Sequence, residues 1–321
     1  MKHIFIVNPA AGQRAGEKNF TDKIETAAKS TGADFEIYMT KCVGDATEYV
    51  RTRLEKRDSE TLEGTLKEEY RFYACGGDGT HNEVVNGLIG FENTAFGVIP
   101  IGTGNDFIRN FGTAEQFLDI CAQIMGTPIS IDTITYRNEY KGEIKTGSVV
   151  NMVNLGFDAN VVDLTAVLKT KPFISGSLAY ILGVVILLVK KKGAKVRITS
   201  EGEVIKEGPI LLSAFTNGCY CGGGWKGIPL AKTDDGLMDV SIVNDLKRRE
   251  FVTLVPKYQK GTHLETKLGK RAVMYNKKKS VMIEAFDGIM RPCIDGEMID
   301  SERMSLEINP LSARFIIPTS L

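Results

Sequence analysis

Several features that mark common classes of protein are scarce in this sequence of 321 residues. With only three His residues, a metal site built from imidazole ligands is not expected. The six Cys residues show neither disulfide nor zinc spacing, since Cys219 and Cys221 flank one residue and no second such pair follows. No N-terminal signal peptide is evident either. We therefore expect free thiols and a cytoplasmic protein.

Net charge and long apolar runs are missing as well. Forty basic and forty acidic residues cancel, so no overall field attracts the chain to nucleic acid, and we expect no nucleic-acid partner. Leu178–Val189 is an apolar run of twelve residues, whereas a membrane-spanning helix needs about 20. Because Lys190–Lys192 closes this run, it fits either a buried helix or a helix in peripheral contact with the inner face of the membrane.

The P-loop pattern Gly-x-x-x-x-Gly-Lys-Ser/Thr does not occur. The chain has instead two glycine-rich segments after short apolar strands: residues 76–80 (GGDGT) and residues 99–107 (IPIGTGNDF). In an open α/β sheet such loops lie at the carboxyl edge of the strands, where ligands bind. Glycine backbone at a helix N-terminus suits phosphate, and Asp78 beside a phosphate indicates Mg²⁺ between them. A glycine turn with an incidental acidic cap is the alternative.

The periodicity of the chain changes near Asp132. Before it, apolar strands alternate with helical spacing, including a helix around Phe117–Met125, which predicts a parallel α/β sheet. After it, short strands joined by turn residues predict an antiparallel β-sandwich or barrel. The strands expected there include Thr146–Val153 and Lys267–Tyr275. The length of the chain also favours two domains.

The GGDGT segment, with Asn82 and Glu83 after it and IPIGTGNDF further on, resembles the catalytic domain of diacylglycerol kinases and related bacterial lipid kinases. Sphingosine and ceramide kinases are similar, and NAD kinases and phosphofructokinases share the GGDG element. The resemblance implies a Rossmann-like, NAD kinase/phosphofructokinase-like α/β domain over residues 1–132, to which residues 306–321 return. It implies a β-sandwich or barrel domain for the lipid over residues 133–305, with the active site in the cleft between the two.

The resemblance also implies a set of residues that bind ATP through backbone amides, hydroxyls and an Asn amide. These are Asn8, Pro9, Ala10, Ala11, Gly12, Thr40, Gly76, Gly77, Asp78, Gly79, Thr80, Asn82, Glu83 and Thr103.

Two magnesium sites follow from the same resemblance. Asp78, Asp106 and Asp132 match aspartates that surround the catalytic Mg²⁺ in bacterial members, although a helix N-cap for Asp106 and a strand-end turn for Asp132 remain open. A second, structural Mg²⁺ would be bound by the carboxylate of Asp235 and the backbone carbonyls of Lys232 and Leu237. Oxygen ligands suit this hard cation, but an Asp-Gly turn also explains the segment.

Asp295-Gly296-Glu297 matches the catalytic acid/base motif of the family, whereas in an unrelated chain a hairpin turn would explain it. If the stretch is extended, Asp295 and Glu297 point to one face, and either could accept a proton.

The sequence thus predicts an ATP- and Mg²⁺-dependent kinase of a membrane lipid, with diacylglycerol first and sphingoid bases, phosphatidylglycerol and other glycerolipids open. An NAD kinase–type enzyme with a soluble acceptor and a catalytically silent lipid-binding protein are the rival hypotheses. A homodimer also remains open.

Overall fold

The structure is a computed structural model that describes residues 1–11, 20–62, 64–102, 104–156 and 193–321. Gly12, Thr103, Leu178–Val189 and Lys190–Lys192, which the sequence analysis singled out, lie outside these residues. The chain divides into two compact units, Met1–Ile131 with Leu311–Leu321, and Asp132–Pro310.

The first unit is built on parallel strands of apolar residues, because a sheet covered on both faces selects continuous Val, Ile and aromatic runs. Its strands are β1 (Lys2–Val7), β2 (Asp34–Met39), β3 (Tyr70–Gly76) and β4 (Thr94–Pro100), in the order β4-β3-β1-β2. The end of β15 (Arg303–Ile317) adds a parallel neighbour to β4, with Phe315 opposite Phe96. Phe5, Tyr73 and Ile99 are fully buried in the core of this unit.

Helices connect these strands, as the alternating pattern predicts. They are α1 (Phe20–Thr31), α2 (Asp45–Glu60), α3 (Asp78–Leu88), α4 (Ala114–Phe117) and α5 (Ile120–Ile124), with a 3₁₀ turn at Phe107–Asn110. The single helix expected over Phe117–Met125 is wrong. Asp119 interrupts it in an extended conformation, and its side chain accepts a hydrogen bond from the amide of Ala122, which starts α5.

The second unit is a sheet of mostly antiparallel strands. They are β5 (Thr127–Tyr140), β6 (Glu143–Val149), β7 (Met152–Gly156), β8 (Ala194–Ser200), β9 (Glu203–Thr216), β10 (Met238–Asn244), β11 (Val273–Lys278), β12 (Ser280–Ala285), β13 (Cys293–Ile294), β14 (Glu297–Met298) and the first part of β15. Strand β9 pairs antiparallel with β7, β8 and β10. One face buries Val153, Phe215 and Ile242 in a single apolar cluster.

Two sequence-based expectations for this unit are wrong. Lys267–Tyr275 is not one strand, because helix α7 (Lys267–Ala272) precedes β11 and begins where the side chain of Thr266 accepts a hydrogen bond from the amide of Gly269. A helix that the periodicity did not reveal, α6 (Arg248–Lys260), lies before it. Thr146–Val153 is interrupted at residues 150–151, between β6 and β7, because backbone amides there bind a side chain rather than a neighbouring strand.

Within the described residues, no helix is long and apolar enough to cross a membrane.

Candidate active site

The carboxyl ends of four parallel strands meet at one edge of the first unit. Val7 lies opposite both Met39 and Cys75, and Gly76 lies opposite Pro100. The loops after these strands therefore start side by side, and they contain most of the residues expected to bind nucleotide. The amide of Thr40, which follows β2, donates to the carbonyl of Val7 at 2.9 Å. Such an edge is where open α/β sheets bind their ligands.

The two glycine loops approach each other more closely than any side chain would allow. The amide of Gly102 donates to the carbonyl of Gly76 at 3.0 Å. A Cβ atom on Gly102 would lie 2.5 Å from Cα of Gly77, and one on Gly76 would lie 2.2 Å from Oγ1 of Thr80. Glycine is therefore favoured at position 102 by its close approach to the backbone of Gly77, and at position 76 by its close approach to the side chain of Thr80.

The side chain of Asp78 binds the second glycine loop, residues 99–107, to the first, residues 76–80. Its Oδ2 accepts the amide of Asn105 at 2.9 Å, and its Oδ1 accepts the amide of Asp106 at 3.1 Å. A Cβ atom on Gly104 would lie 2.0 Å from Oδ2 of Asp78, so a side chain at this position would displace the carboxylate from its contacts. The side chain of Asp106 is buried, lies 3.6 Å from Nε of Arg109, and does not cap the 3₁₀ turn that follows. The backbone contact brings two carboxylate-bearing residues to one place.

The turn after β1 is tied to the first turn of α3. The side chain of Asn8 accepts the amide of Ala10 at 2.9 Å and donates to Oγ1 of Thr80 at 3.1 Å. The amide of Ala11 donates to the carbonyl of Asn8 at 3.0 Å, which closes a tight turn around Pro9. The segment Asn8–Ala11 is thereby held against the GGDGT loop, where Gly79 occupies the first turn of α3.

Three polar residues of α3 have partners within the protein. Both carboxylate oxygens of Glu83 accept backbone amides at the start of α2, from Gly44 at 2.9 Å and from Ala46 at 3.1 Å. The side chain of Asn82 accepts a hydrogen bond from Asn86 at 3.0 Å. His81 is buried between Phe96 and Phe107, and burial lowers its pKa to about 3, so the ring is uncharged and serves packing.

In the second unit, Asp295 and Gly296 form the two-residue turn between β13 and β14. Both have positive φ, 43° and 96°, as a tight type I′ hairpin turn requires. The stretch is therefore not extended, and the two carboxylates of the motif have different environments. The carboxylate of Asp295 is buried and accepts three backbone amides, from Val150 at 2.9 Å, Asn151 at 3.1 Å and Met152 at 2.9 Å. Glu297, in contrast, is exposed to solvent.

The remaining acidic candidates lie together in the second unit. Oδ2 of Asp132 accepts the amide of Gly236 at 2.7 Å, and the amide of Asp132 donates to the carbonyl of Thr233. Asp132 is thus joined to the loop that contains Lys232, Asp235 and Leu237. Asp235 forms an ion pair with Lys277 and accepts the amide of Leu237 at 3.1 Å.

The two expected metal sites differ in how well their residues suit Mg²⁺. Asp78 and Asp106 supply oxygen donors, and these fit a hard cation. At the second site the ammonium of Lys277 already neutralises Asp235, so the carboxylate is less available there. Among the described residues, no group of three or more His, Cys, Asp or Glu side chains is arranged to hold a metal.

Sequence reasoning missed the residues that support the hairpin. The backbone amides around Asn151 are the partners of Asp295. In the sequence, the only indication of them is Asn151 itself, a polar residue within an apolar stretch. Tyr136 is also close: burial raises its pKa, and the carboxylates of Glu297 and Asp295 raise it further. No pattern in the sequence pointed to Tyr136 or Lys277.

The chain thus combines an α/β unit, in which two glycine loops meet at a helix N-terminus, with an antiparallel β unit that carries a carboxylate hairpin. Residues 2–136 match the diacylglycerol kinase catalytic domain, and residues 151–317 match the YegS C-terminal NAD kinase beta sandwich-like domain. The chain belongs to the diacylglycerol kinase family, and it is an enzyme of the lipid kinase class. The predicted combination of an α/β unit and a β-sandwich unit is confirmed.

Named relatives match most of the chain. The diacylglycerol kinase of Bacillus subtilis (strain 168) is 29% identical over 91% of this chain and 88% of its own length. The diacylglycerol kinase of Staphylococcus epidermidis (strain RP62A) is 32% identical over 91% of this chain and 84% of its own. A crystal structure of a diacylglycerol kinase from Bacillus anthracis str. Sterne has the same fold, with a TM-score of 0.68 at 24% identity over 99% of this chain and 97% of that chain.

Proposed function

We propose that this lipid kinase transfers the γ-phosphate of ATP to the hydroxyl of diacylglycerol and so forms phosphatidic acid. The observation that carries the proposal is the contact of Asp78 with the amides of Asn105 and Asp106, which holds two glycine loops at the N-terminus of α3. Backbone amides and a helix N-terminus offer an anion site, and the acids beside it make that site suitable for a metal–phosphate complex rather than for phosphate alone.

The nucleotide would lie along the carboxyl edge of the first unit. Asn8–Ala11, Thr40 and the GGDGT loop would hold its phosphates and sugar by hydrogen bonds. Mg²⁺ bound to Asp78 and Asp106 would supply the positive charge that a P-loop lysine supplies elsewhere. Glu83 would act indirectly, because both of its oxygens hold the start of α2.

The two carboxylates of the hairpin would have different roles. A general base needs an oxygen that can face the substrate hydroxyl, and the exposed Glu297 meets this need. Asp295 accepts three amides and would position the hairpin against residues 150–152. Glu297 would then accept the hydroxyl proton as the oxygen attacks the phosphoryl group, a contribution typically worth about 10²–10⁴-fold in rate.

The test is to incubate the purified chain with ATP labelled in the γ-phosphate and a total lipid extract, and to identify the labelled product. We expect labelled phosphatidic acid, dependent on Mg²⁺ and absent with Asp78→Ala. Purified diacylglycerol, phosphatidylglycerol, sphingosine and NAD are then compared as single acceptors. Preferential labelling of NAD, or no transfer to any lipid, would overturn the proposal.

A further inference from the structure

Helices α6 and α7 give the second unit a surface whose charge differs sharply from that of the whole chain. The segment from residue 247 to residue 271 contains eight basic and two acidic residues, although the full sequence has forty of each. All eight basic residues are exposed and form this basic surface: Lys247, Arg248, Arg249, Lys257, Lys260, Lys267, Lys270 and Arg271.

One face of α6 is buried in the core of the second unit, so its basic face is turned to solvent. Phe251, Leu254 and Tyr258 are buried in one cluster with Leu211 and Leu212 of β9. These positions recur at helical spacing, which orients the opposite side of the helix to solvent.

The outward stripe of α6 combines charge with exposed apolar groups. Arg249, Val252, Pro256 and Lys260 follow one another three or four residues apart, and therefore share a face. Val252 is 54% exposed. A helix that carries basic side chains beside exposed aliphatic ones suits the boundary between headgroups and acyl chains. The two aromatic residues of α6 both face inward, so this stripe lacks the stacking platform that nucleic-acid surfaces use.

Acidic residues in and beside this segment cancel only part of its positive charge, since eight basic residues face two acidic ones. Glu250 pairs with Arg271 at 2.6 Å and accepts the amide of Lys247, so it joins α7 to α6. Asp245, just before this segment, and Glu265, in the turn between α6 and α7, are both exposed. The excess positive charge is therefore concentrated on α6 and the adjacent face of α7.

The basic surface is connected to the hairpin through packing. The apolar cluster that holds Phe251, Leu254 and Tyr258 also contains Met152. The amide of Met152 is one of the three that bind Asp295. A surface held by α6 would therefore be fixed relative to the residues proposed to handle the lipid hydroxyl.

We infer that the basic surface of α6 and α7 docks the protein on an anionic phospholipid bilayer. Headgroup phosphates would neutralise the Lys and Arg side chains, while Val252 and Pro256 would enter the boundary of the acyl chains. The inference goes beyond the proposed function, because it concerns binding to the membrane rather than phosphoryl transfer.

The experiment is flotation of the full chain, without nucleotide, on phosphatidylcholine vesicles with and without phosphatidylserine. The test variant is Arg249→Glu/Lys257→Glu/Lys260→Glu. The matched control is Lys29→Glu/Lys56→Glu/Lys145→Glu, which changes net charge equally at exposed positions elsewhere. Thermal unfolding of each variant checks the fold.

We expect binding only to the phosphatidylserine vesicles, and loss of it at high salt. Each basic side chain at a membrane surface contributes about fivefold to binding, so the test variant should bind about 100-fold more weakly. The control should bind like the wild type.

Three outcomes would overturn the inference: no binding by the wild type, an equal loss in both variants, or tighter binding of the same surface to a DNA duplex than to the vesicles. Transfer to a short-chain, dispersed diacylglycerol tests the proposed function separately. The test variant should retain that activity, so failure of docking and failure of catalysis can be told apart.

Discussion

Asp295→Asn and Glu297→Gln should separate stability from catalysis within one hairpin. Each substitution replaces one carboxylate oxygen by an NH₂ group of nearly the same size and removes the negative charge. The environments differ, because Asp295 is buried with three amide donors whereas Glu297 is exposed. The same chemical change should therefore have opposite consequences at the two positions.

In Asp295→Asn, the side chain keeps only one of the two oxygens that accept hydrogen bonds. If this oxygen still accepts the amides of Asn151 and Met152, the new NH₂ group faces the amide of Val150, and two donors then point at each other. Losing a hydrogen bond to a charged group costs about 1.5–3 kcal/mol, and the buried, unpaired donor adds to this. We expect a loss of about 3 kcal/mol, which for a unit of this size lowers Tm by about 6–12 °C.

For Glu297→Gln, an exposed substitution should change stability by no more than about 0.5 kcal/mol. The proton acceptor is lost, however, and kcat should fall by at least about 10²-fold with the KM for ATP unchanged. The assays are scanning calorimetry and steady-state kinetics with diacylglycerol. If Glu297→Gln keeps kcat within tenfold of wild type while Asp295→Asn inactivates the enzyme at an unchanged Tm, our assignment of the two roles is refuted.

Further predictions concern two residues of the first unit and the buried His263 of the second. Gly104→Ala should abolish transfer, because its Cβ would lie 2.0 Å from Oδ2 of Asp78 and must displace it; activity near wild type would show that the Asp78 contact is dispensable. Glu83→Gln should cost about 1–2 kcal/mol by weakening the cap of α2, with little change in the KM for ATP, measured by denaturant titration and kinetics. Burial lowers the pKa of His263 from 6.5 to about 4, so its contribution to stability is complete above pH 6.5 and is lost as the pH falls toward 4. His263→Gln should flatten the decline of Tm between these pH values, and an unchanged slope would contradict the burial argument.

Residues 76–107 show how much of the first unit follows from sequence alone. Apolar strands followed by glycine, and then by helical spacing, indicated the β3–α3 and β4 elements and their common edge. Glycine carries this information because its lack of a Cβ is a local property that does not depend on the rest of the chain. In the structure, the lack of a Cβ atom is what permits the close contacts of Gly76, Gly102 and Gly104.

The second unit shows where such reasoning ends. The motif Asp295-Gly296-Glu297 is visible in the sequence, yet nothing local distinguishes its two carboxylates. The partners of Asp295 are the amides of residues 150–152, which are more than 140 positions away along the chain. Helix α6 was missed for a related reason. Only Phe251, Leu254 and Tyr258 of its thirteen residues are buried, and the residues of β9 on which they pack lie elsewhere in the chain.

Sequence by itself determined which residue types were available: the glycine loops, the acids beside them and the carboxylate hairpin. These depend on the chemistry of single residues and on short-range spacing, which a linear chain displays directly. Only the tertiary structure decided how each acid is used. It bound Asp295 to three backbone amides, Glu83 to the start of α2, Asp132 to the loop of Asp235, and Asp235 to Lys277. A carboxylate takes its role from the donors around it, and those donors come together only when distant segments pack.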